Sequence, residues 1–402
     1  MMINQPDEPR PSEPLSSIDP YDPLPLAAAL LRCPSVSPAD GGTIAVLTRT
    51  LTERGFSCKH IDFPGADGRI VHNLVAHLGS GSPHIAFFGH VDVVPPGVGW
   101  TVDPFAAEVR DGILHGRGAC DMKGAIACFI TAVSRFCESR RHGFPGTISV
   151  ILTGDEELDS EGGAARLLPH LAAIGEAPEL CIVGEPTARK TPGDTVKIGR
   201  RGQMCGTVRA RGVQGHSAYP ERADNPLPRL IRFLHHLGER ALDHGTARFA
   251  PSTVSITSID VGNTATNITP AQAEARFDIR FNDQHTSTSL AAWIRRLASA
   301  QLGTDHEVEL HCSAEPFVCP PGPWLDVISR AVREVAGRPP ELDTGGGTSD
   351  ARFIHAHCPV IELGLVGESM HRADEHVPVA DLDSLTMIYT LTLAGLVRSA
   401  TH

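Results

Sequence analysis

Several things are scarce in this 402-residue sequence, and each scarcity narrows the reading. The ten cysteines include no Cys-x-x-Cys pair, and most sit inside apolar runs such as Ala127-Cys128-Phe129 and Leu180-Cys181-Ile182. They are expected to be buried free thiols of a protein in a reducing compartment. Uninterrupted apolar runs never reach the roughly 18 residues that would suggest a bilayer span. Basic residues are in the minority, 35 against 47 acidic ones, for a net charge of −12. A broad phosphate-binding footprint is therefore improbable, and no nucleic-acid partner is expected. The first twenty residues have neither a basic start nor an apolar stretch and are rich in Pro, Glu, Asp and Ser. Residues 1–22 are expected to form a loose arm rather than a signal peptide, and the protein is expected to be cytoplasmic, with no membrane partner.

What is present fits a globular protein of more than one core. Hydrophobic residues make up 41% and charged residues 20% of the chain, with a mean hydropathy of −0.07. Single cores rarely grow past about 250–300 residues, so 402 residues imply two or three domains. Apolar spacing predicts helices over 24–31, 44–51, 123–136 and 162–174. Short apolar runs at 70–78, 85–94, 147–152 and 180–183 predict strands, and this alternation argues for an α/β sheet with substantial parallel pairing. Between about 201 and 312 the texture changes. Strand-like runs at 207–213, 253–261 and 276–281, with helices over 226–242 and 289–302, predict an inserted α+β module. The α/β pattern resumes with a helix over 324–335, a Gly-rich loop at 345–347, a strand over 359–365 and a last helix over 379–396. The expected division is a catalytic domain from 23–201 and 313–402 around a module at 202–312.

The chemistry-bearing residues cluster where predicted strands end. Ile85-Ala-Phe-Phe-Gly-His90-Val-Asp92 closes an apolar strand with a histidine and an aspartate two apart, the proximity a metal-binding imidazole and its orienting carboxylate require. Alone, this is also what a polar strand end looks like. Gly116-Arg-Gly-Ala-Cys-Asp121 presents an aspartate just before a helix, which a helix cap would also do. Leu152-Thr-Gly-Asp-Glu156-Glu157 ends a strand with three carboxylates, a solvated acidic turn or a set of like charges awaiting a cation. Val183-Gly-Glu185 repeats the theme, and Met370-His371-Arg-Ala-Asp-Glu375-His376 supplies a late histidine. In an α/β sheet the carboxyl ends of parallel strands share one edge, where ligands bind. Four or five such ends here carry His, Asp or Glu. Two metals sharing an aspartate would use five ligands, and the chain supplies His90, Asp121, Glu157, Glu185 and His371. Glu156 is left over beside a ligand, where it can take a proton from an acidified water. A ligand set of histidine and carboxylate without cysteine points to a catalytic zinc-type site.

These motifs, in order and spanning about 25–396, resemble the dinuclear zinc aminoacylase and carboxypeptidase family. The resemblance implies a zinc-peptidase-like catalytic domain with a mixed, largely parallel sheet, plus an inserted α+β dimerisation or lid domain. It implies two divalent ions, Zn2+ or alternatively Co2+. His90 and Glu185 would hold one ion, Glu157 and His371 the other, with Asp121 between them; Asp92 would orient His90, and Glu156 would be the general base. His376 competes with His371 for the ligand role, and the motif match selects His371 because Glu375 follows four residues later. Gly212-Val-Gln-Gly-His216-Ser-Ala-Tyr219-Pro matches the segment whose histidine stabilises an oxyanion across a homodimer. Tyr219, Asn267 and Arg280 match substrate-binding positions.

Two further features, Gly199-Arg200-Arg201-Gly202 and Thr344-Gly-Gly-Gly347-Thr348-Ser-Asp350, add Arg200, Gly347 and Thr348 as expected donors to a polyanionic substrate. The arginines also fit a solvated strand end, and the glycines a flexible connection. The resemblance implies hydrolysis of N-succinyl-L,L-2,6-diaminopimelate to succinate and L,L-2,6-diaminopimelate, in lysine and diaminopimelate biosynthesis. Another acyl amino acid hydrolase of the family, acting on acetylornithine or dipeptides, is the alternative; a non-catalytic binding protein is a more distant one.

Overall fold

The computed structural model describes residues 18–140, 143–158, 160–239 and 241–399. Residues 1–17 of the expected arm lie outside the described residues. The larger body is built on an eight-stranded sheet in the order Ser57–His60, Leu74–Ser80, Gly146–Thr153, His84–His90, Leu180–Val183, Val360–Glu362, Thr195–Lys197 and Glu341–Asp343. Its centre is parallel: His84–His90 pairs that way with both Gly146–Thr153 and Leu180–Val183, and Leu180–Val183 with Val360–Glu362. Antiparallel pairs lie to either side, so the sheet is mixed.

Near-continuous apolar strands need cover on both faces. On one face lie the helices Pro23–Leu31, Gly124–Glu138, Pro323–Ala336 and Val379–Ser399. Phe87, Phe129 and Tyr389 meet there, with Phe87 and Phe129 stacked at 4.6 Å and both rings edge-on to Tyr389. On the other face Ala164–Ala173 and Ala351–Ile354 cover Val75, Phe88, Ile151 and Val183. The last helix is apolar enough over Val379–Arg398 to match a membrane span by length and composition. Although no uninterrupted apolar run foretold this, the helix is a core element, with Leu382, Leu385, Ile388, Tyr389 and Leu393 fully buried.

The predicted strand over 70–78 is divided in two. Ile70–Val71 pairs with Phe63–Pro64, and Leu74–Ser80 joins the large sheet. Between them the buried Asn73 amide donates to the carbonyls of Ile61, Val71 and Gly162, an outlet for polar groups that a continuous strand would not supply. The predicted 85–94 strand ends at His90, after which the chain leaves the sheet and Val93 N bonds Ser35 O.

Residues 202–314 form a four-stranded antiparallel sheet in the order Thr253–Asp260, Gln272–Phe281, Gly202–Arg211 and His306–Ala314. The helices Leu227–Glu239 and Ser287–Leu302 cover one face, enclosing a separate core that includes Met204, Val208, Phe233, Phe277, Phe281 and Ile294. The other face carries Arg209, Glu274 and Glu309 in cross-strand ion pairs. The His306–Ala314 strand was not predicted, because its residues are mostly half-exposed and its sequence mixes His and Glu with apolar residues. At the crossing between the two bodies Gly199–Arg200 pairs with Phe317–Val318.

Phe129→Ala would leave a cavity between the central strand and the last helix. It is expected to cost about 3–5 kcal/mol, read as a lower urea midpoint at unchanged slope; an unchanged midpoint would contradict the placement.

Candidate metal centre

The carboxyl ends of the parallel strands meet at one sheet edge, and the sequence sets a glycine before the polar residue at three of them, Gly89, Gly154 and Gly184. A Cβ at Gly184 would lie 2.4 Å from Phe87 Cζ and 2.6 Å from Met122 Cε, and one at Gly89 would lie 2.6 Å from the same Met122 atom. Only glycine lets His90, Glu185 and the Asp121-Met122 turn come together this closely.

His90 is 2% exposed. Its Nδ1 lies 2.9 Å from the backbone oxygen of Asp92, closer than the 3.6 Å to the Asp92 carboxylate. The carbonyl therefore orients the ring, with the carboxylate behind it. That carboxylate accepts from the backbone N–H groups of Glu156 and Glu157, each at 3.2 Å, and from the Ser37 hydroxyl. Asp92 thus fixes the turn that carries both glutamates. With Nδ1 donating to a carbonyl, Nε2 of His90 faces Asp121 Oδ1 at 3.1 Å and Glu185 Oε1 at 3.7 Å. On the other side, His371 Nε2 lies 3.1 Å from Asp121 Oδ2 and 3.0 Å from Glu157 Oε1. Each oxygen of Asp121 belongs to a different donor group. Separations of 3.0–3.7 Å bracket the donor-to-donor edge of about 3.3 Å in a tetrahedral shell with bonds near 2.0–2.1 Å.

The electrostatics show what the cluster lacks. Burial raises Glu185 well above the carboxylate range, with the charges of Asp121 and Glu156 adding to it. Burial likewise lifts Glu156 to about 8 against the pull of His90, with Asp350, Glu157 and Asp121 adding to the rise. Burial opposes charge on His90, but its bond to Asp121 and the surrounding carboxylates outweigh it and hold it well above the usual imidazole value. His371 is raised to about 10 by its bonds to Asp121 and Glu157. The carboxylates draw in protons because they need positive charge. Donor atoms of His90, Glu156 and Glu185 lie within 4.8 Å of one another, as do those of His90, Asp121 and Glu157. The donors are imidazole nitrogens and carboxylate oxygens, a set that suits divalent metal ions.

Asp155, the third acidic residue of the turn, points elsewhere and accepts from the N–H groups of Gly162 and Gly163. His376 stays out of the cluster, its Nδ1 2.8 Å from Asp374 O. Arg200, expected to collect substrate carboxylates, is turned inward instead. It is buried, grips the Glu362 carboxylate with Nε and Nη2, and donates from Nη1 to the carbonyls of Gly345 and Gly347. Its fork holds the Gly-rich loop in shape rather than standing free for an anion. Gly347 is exposed and Thr348 half-buried on that loop.

His216, Tyr219, Asn267 and Arg280 all lie in the smaller body. His216 and Tyr219 are exposed neighbours at 5.6 Å, Asn267 is exposed beside the Ile268–Thr269 strand, and Arg280 pairs with Asp278. Among the described residues no ion pair or hydrogen bond joins these four to the His90–His371 cluster. Two buried groups at the site, Arg117 and Lys123, are not among the residues the sequence singles out, and Glu375, singled out only as a marker for His371, is fully buried there. Lys123 donates to Leu30 O and Cys33 O and is lowered to about 8 by burial. Its position in an otherwise apolar helix start was the one available signal.

The family model for "Peptidase family M20/M25/M40" matches residues 86–395. The chain belongs to this peptidase family. A succinyl-diaminopimelate desuccinylase of Acidiphilium cryptum is 55% identical over 377 residues, covering 94% of this chain and 99% of that protein. Another of the same name, from Gluconacetobacter diazotrophicus, is 52% identical over 93% of this chain and 96% of that protein. Among solved structures, a tripeptidase from Staphylococcus aureus superposes with a TM-score of 0.78 at 20% identity, covering 95% of this chain and 99% of that one. A dinuclear metal-binding peptidase of the M20 family from Bacillus subtilis gives 0.66 at 17% identity, over 92% and 97%. The fold is that of these family members, and its sheet edge gathers histidine and carboxylate donors that could hold a metal ion.

Replacing His371 with Ala removes one donor from the Asp121 Oδ2 side only. Bound metal per chain is expected to fall while the His90 and Glu185 side still binds; unchanged stoichiometry by elemental analysis would contradict the assignment.

Proposed function

We propose that this hydrolase cleaves the amide bond of N-succinyl-L,L-2,6-diaminopimelate, giving succinate and L,L-2,6-diaminopimelate for lysine and diaminopimelate biosynthesis. The observation that carries the reading is the joint one: relatives of that name are more than 50% identical over more than 90% of the chain, and His90, Asp121, Glu157, Glu185 and His371 meet at the sheet edge. His90, Glu185 and Asp121 would hold one ion, and Glu157, His371 and Asp121 the other, with Zn2+ the proposed metal and Co2+ its alternative. Such ions supply Lewis-acid polarisation of an amide carbonyl and acidify water.

The chain's own residues do the rest. Glu156 lies with His90 and Glu185, next in sequence to Glu157, and is taken as the proton carrier rather than as a ligand. Its Oε accepts a proton from the attacking water as the C–O bond forms, then delivers that proton to the amine nitrogen as the C–N bond breaks. Asp92 keeps the turn bearing Glu156 in place through the two backbone N–H bonds already described.

We divide the chain into a catalytic domain of residues 23–201 and 313–402 and a dimerisation or lid domain of 202–312. In a homodimer the exposed His216, Tyr219 and Asn267 would be presented to a second copy, with His216 donating to the oxyanion and Asn267 and Arg280 receiving substrate carboxylates. A cytoplasmic setting is supported by the ten cysteines, all of them unpaired.

Purified, metal-loaded protein is expected to hydrolyse N-succinyl-L,L-diaminopimelate far faster than N-acetylornithine. Activity on the acetyl compound alone, or on neither, would overturn the substrate assignment. Glu156→Gln is expected to keep its metal and lose more than about a hundredfold in kcat; near-normal turnover would remove Glu156 from the proton-transfer role.

A further inference from the structure

We propose that Glu375 and Arg117 are a positioning pair that sets the spacing between Asp121 and His371, and so governs the hold on the ion flanked by Glu157. The problem they solve is visible in the placement of His371. Its side chain is 45% exposed, its φ of 62° lies in the left-handed region, and it sits in a run of turns between Val360–Glu362 and His376–Pro378. Neither burial nor regular secondary structure fixes it. Asp121, its partner, lies on another loop 250 residues earlier in the chain.

Glu375, fully buried, ties the two loops together. Its Oε1 accepts from the backbone N–H of Cys120 at 3.0 Å and of Asp121 itself at 3.2 Å, with the Cys120 thiol at 3.3 Å. Its Oε2 accepts from Gly118 N at 3.1 Å and from Arg117 Nη1 at 2.7 Å. The backbone adds Gly116 N to Glu375 O at 2.9 Å. Arg117, 2% exposed, extends the tie in two directions. Nη1 also donates to Arg372 O, the residue after His371, at 3.2 Å. Nη2 donates to Pro95 O and Pro96 O, in the segment that follows His90 and Asp92, and the guanidinium lies 5.3 Å from the Trp100 ring centre. One buried ion pair thus joins three segments that carry metal ligands or their support.

Neither side chain reaches the donor atoms of the cluster, so the effect is on position. Groups behind metal ligands typically change metal affinity about ten- to a hundredfold when altered. The tie reaches Asp121, which both proposed ions share, and the loop of His371, which has no strand or burial of its own to hold it, whereas His90 and Glu185 stand at ends of sheet strands. Its loss should therefore fall more on the ion flanked by His371 and Glu157.

The test is a calorimetric titration of chelator-stripped protein with Zn2+, comparing the unaltered chain with Glu375→Gln. The inference rests on the two-ion reading above, and the unaltered chain checks that separately: uptake of fewer than two ions would sink that reading and this one with it. With two ions bound by the unaltered chain, Glu375→Gln is expected to keep the tighter ion near its original affinity and to weaken the other by about ten- to a hundredfold. Both ions bound as tightly as before would overturn the proposal. Equal weakening of both would also overturn it, marking a merely structural role. Arg117→Lys, which keeps the charge but drops the fork that reaches Arg372 and the two prolines, is expected to shift affinity in the same direction. Should either variant fail to fold, amide exchange on the metal-free, unaltered chain decides. The N–H groups of Gly118, Cys120 and Asp121 should stay protected without metal, and rapid exchange there would overturn a preformed brace.

Discussion

Four carboxylates at one buried sheet edge repel one another, and the rest of the active-site architecture follows from how that repulsion is managed. Asp121, Glu156, Glu157 and Glu185 are brought together by three separate segments, and the imidazoles of His90 and His371 stand 3.0–3.7 Å from Asp121, Glu157 and Glu185. Burial raises Glu156 and Glu185, with their acidic neighbours adding to it, and the carboxylates around His90 and His371 raise both imidazoles, His90 against its burial. Divalent cations meet the same demand with more charge in less space. The site is thus costly to assemble without metal and suited to hold it, a coupling general to metal centres built from titratable ligands.

The fold supplies the rigidity this requires. Three central strands run parallel and deliver His90, the Glu156-Glu157 turn and Glu185 to one edge, as the carboxyl-end rule for open α/β sheets anticipates. Glycines at 89 and 184 remove the side chains that would keep Met122, and with it Asp121, away. Phe87, Phe129 and Tyr389 lock the central strand to two helices directly beneath. His371 alone comes from an irregular, half-exposed loop, and the buried Glu375–Arg117 pair answers that weakness.

The strand ends were legible in the sequence because apolar runs of four to seven residues, closed by glycine and a charged residue, are an unusual pattern. His90, Glu157 and Glu185 follow from that pattern, Asp121 from a Gly-rich turn before a helix and His371 from the late histidine motif, and the structure brings all five together. The Ile70 to Leu78 run misled, since a buried Asn73 amide divides it. The edge strand His306–Ala314 escaped because half-exposed positions leave no clean alternation. Arg200 was misread for a different reason. Sequence shows a charge but not which way it points, and Glu362, the carboxylate that turns Arg200 inward, lies 162 residues further on. The pairing of Glu375 with Arg117 was hidden by the same limit, as a buried ion pair leaves no periodic trace.

The central claim, two cations shared by Asp121, is tested most directly by a crystal structure of the zinc-loaded protein with anomalous scattering recorded at the zinc edge. Two peaks are predicted, one between His90, Glu185 and Asp121 Oδ1, the other between His371, Glu157 and Asp121 Oδ2. A single peak, or peaks that leave Asp121 uncoordinated, would contradict it.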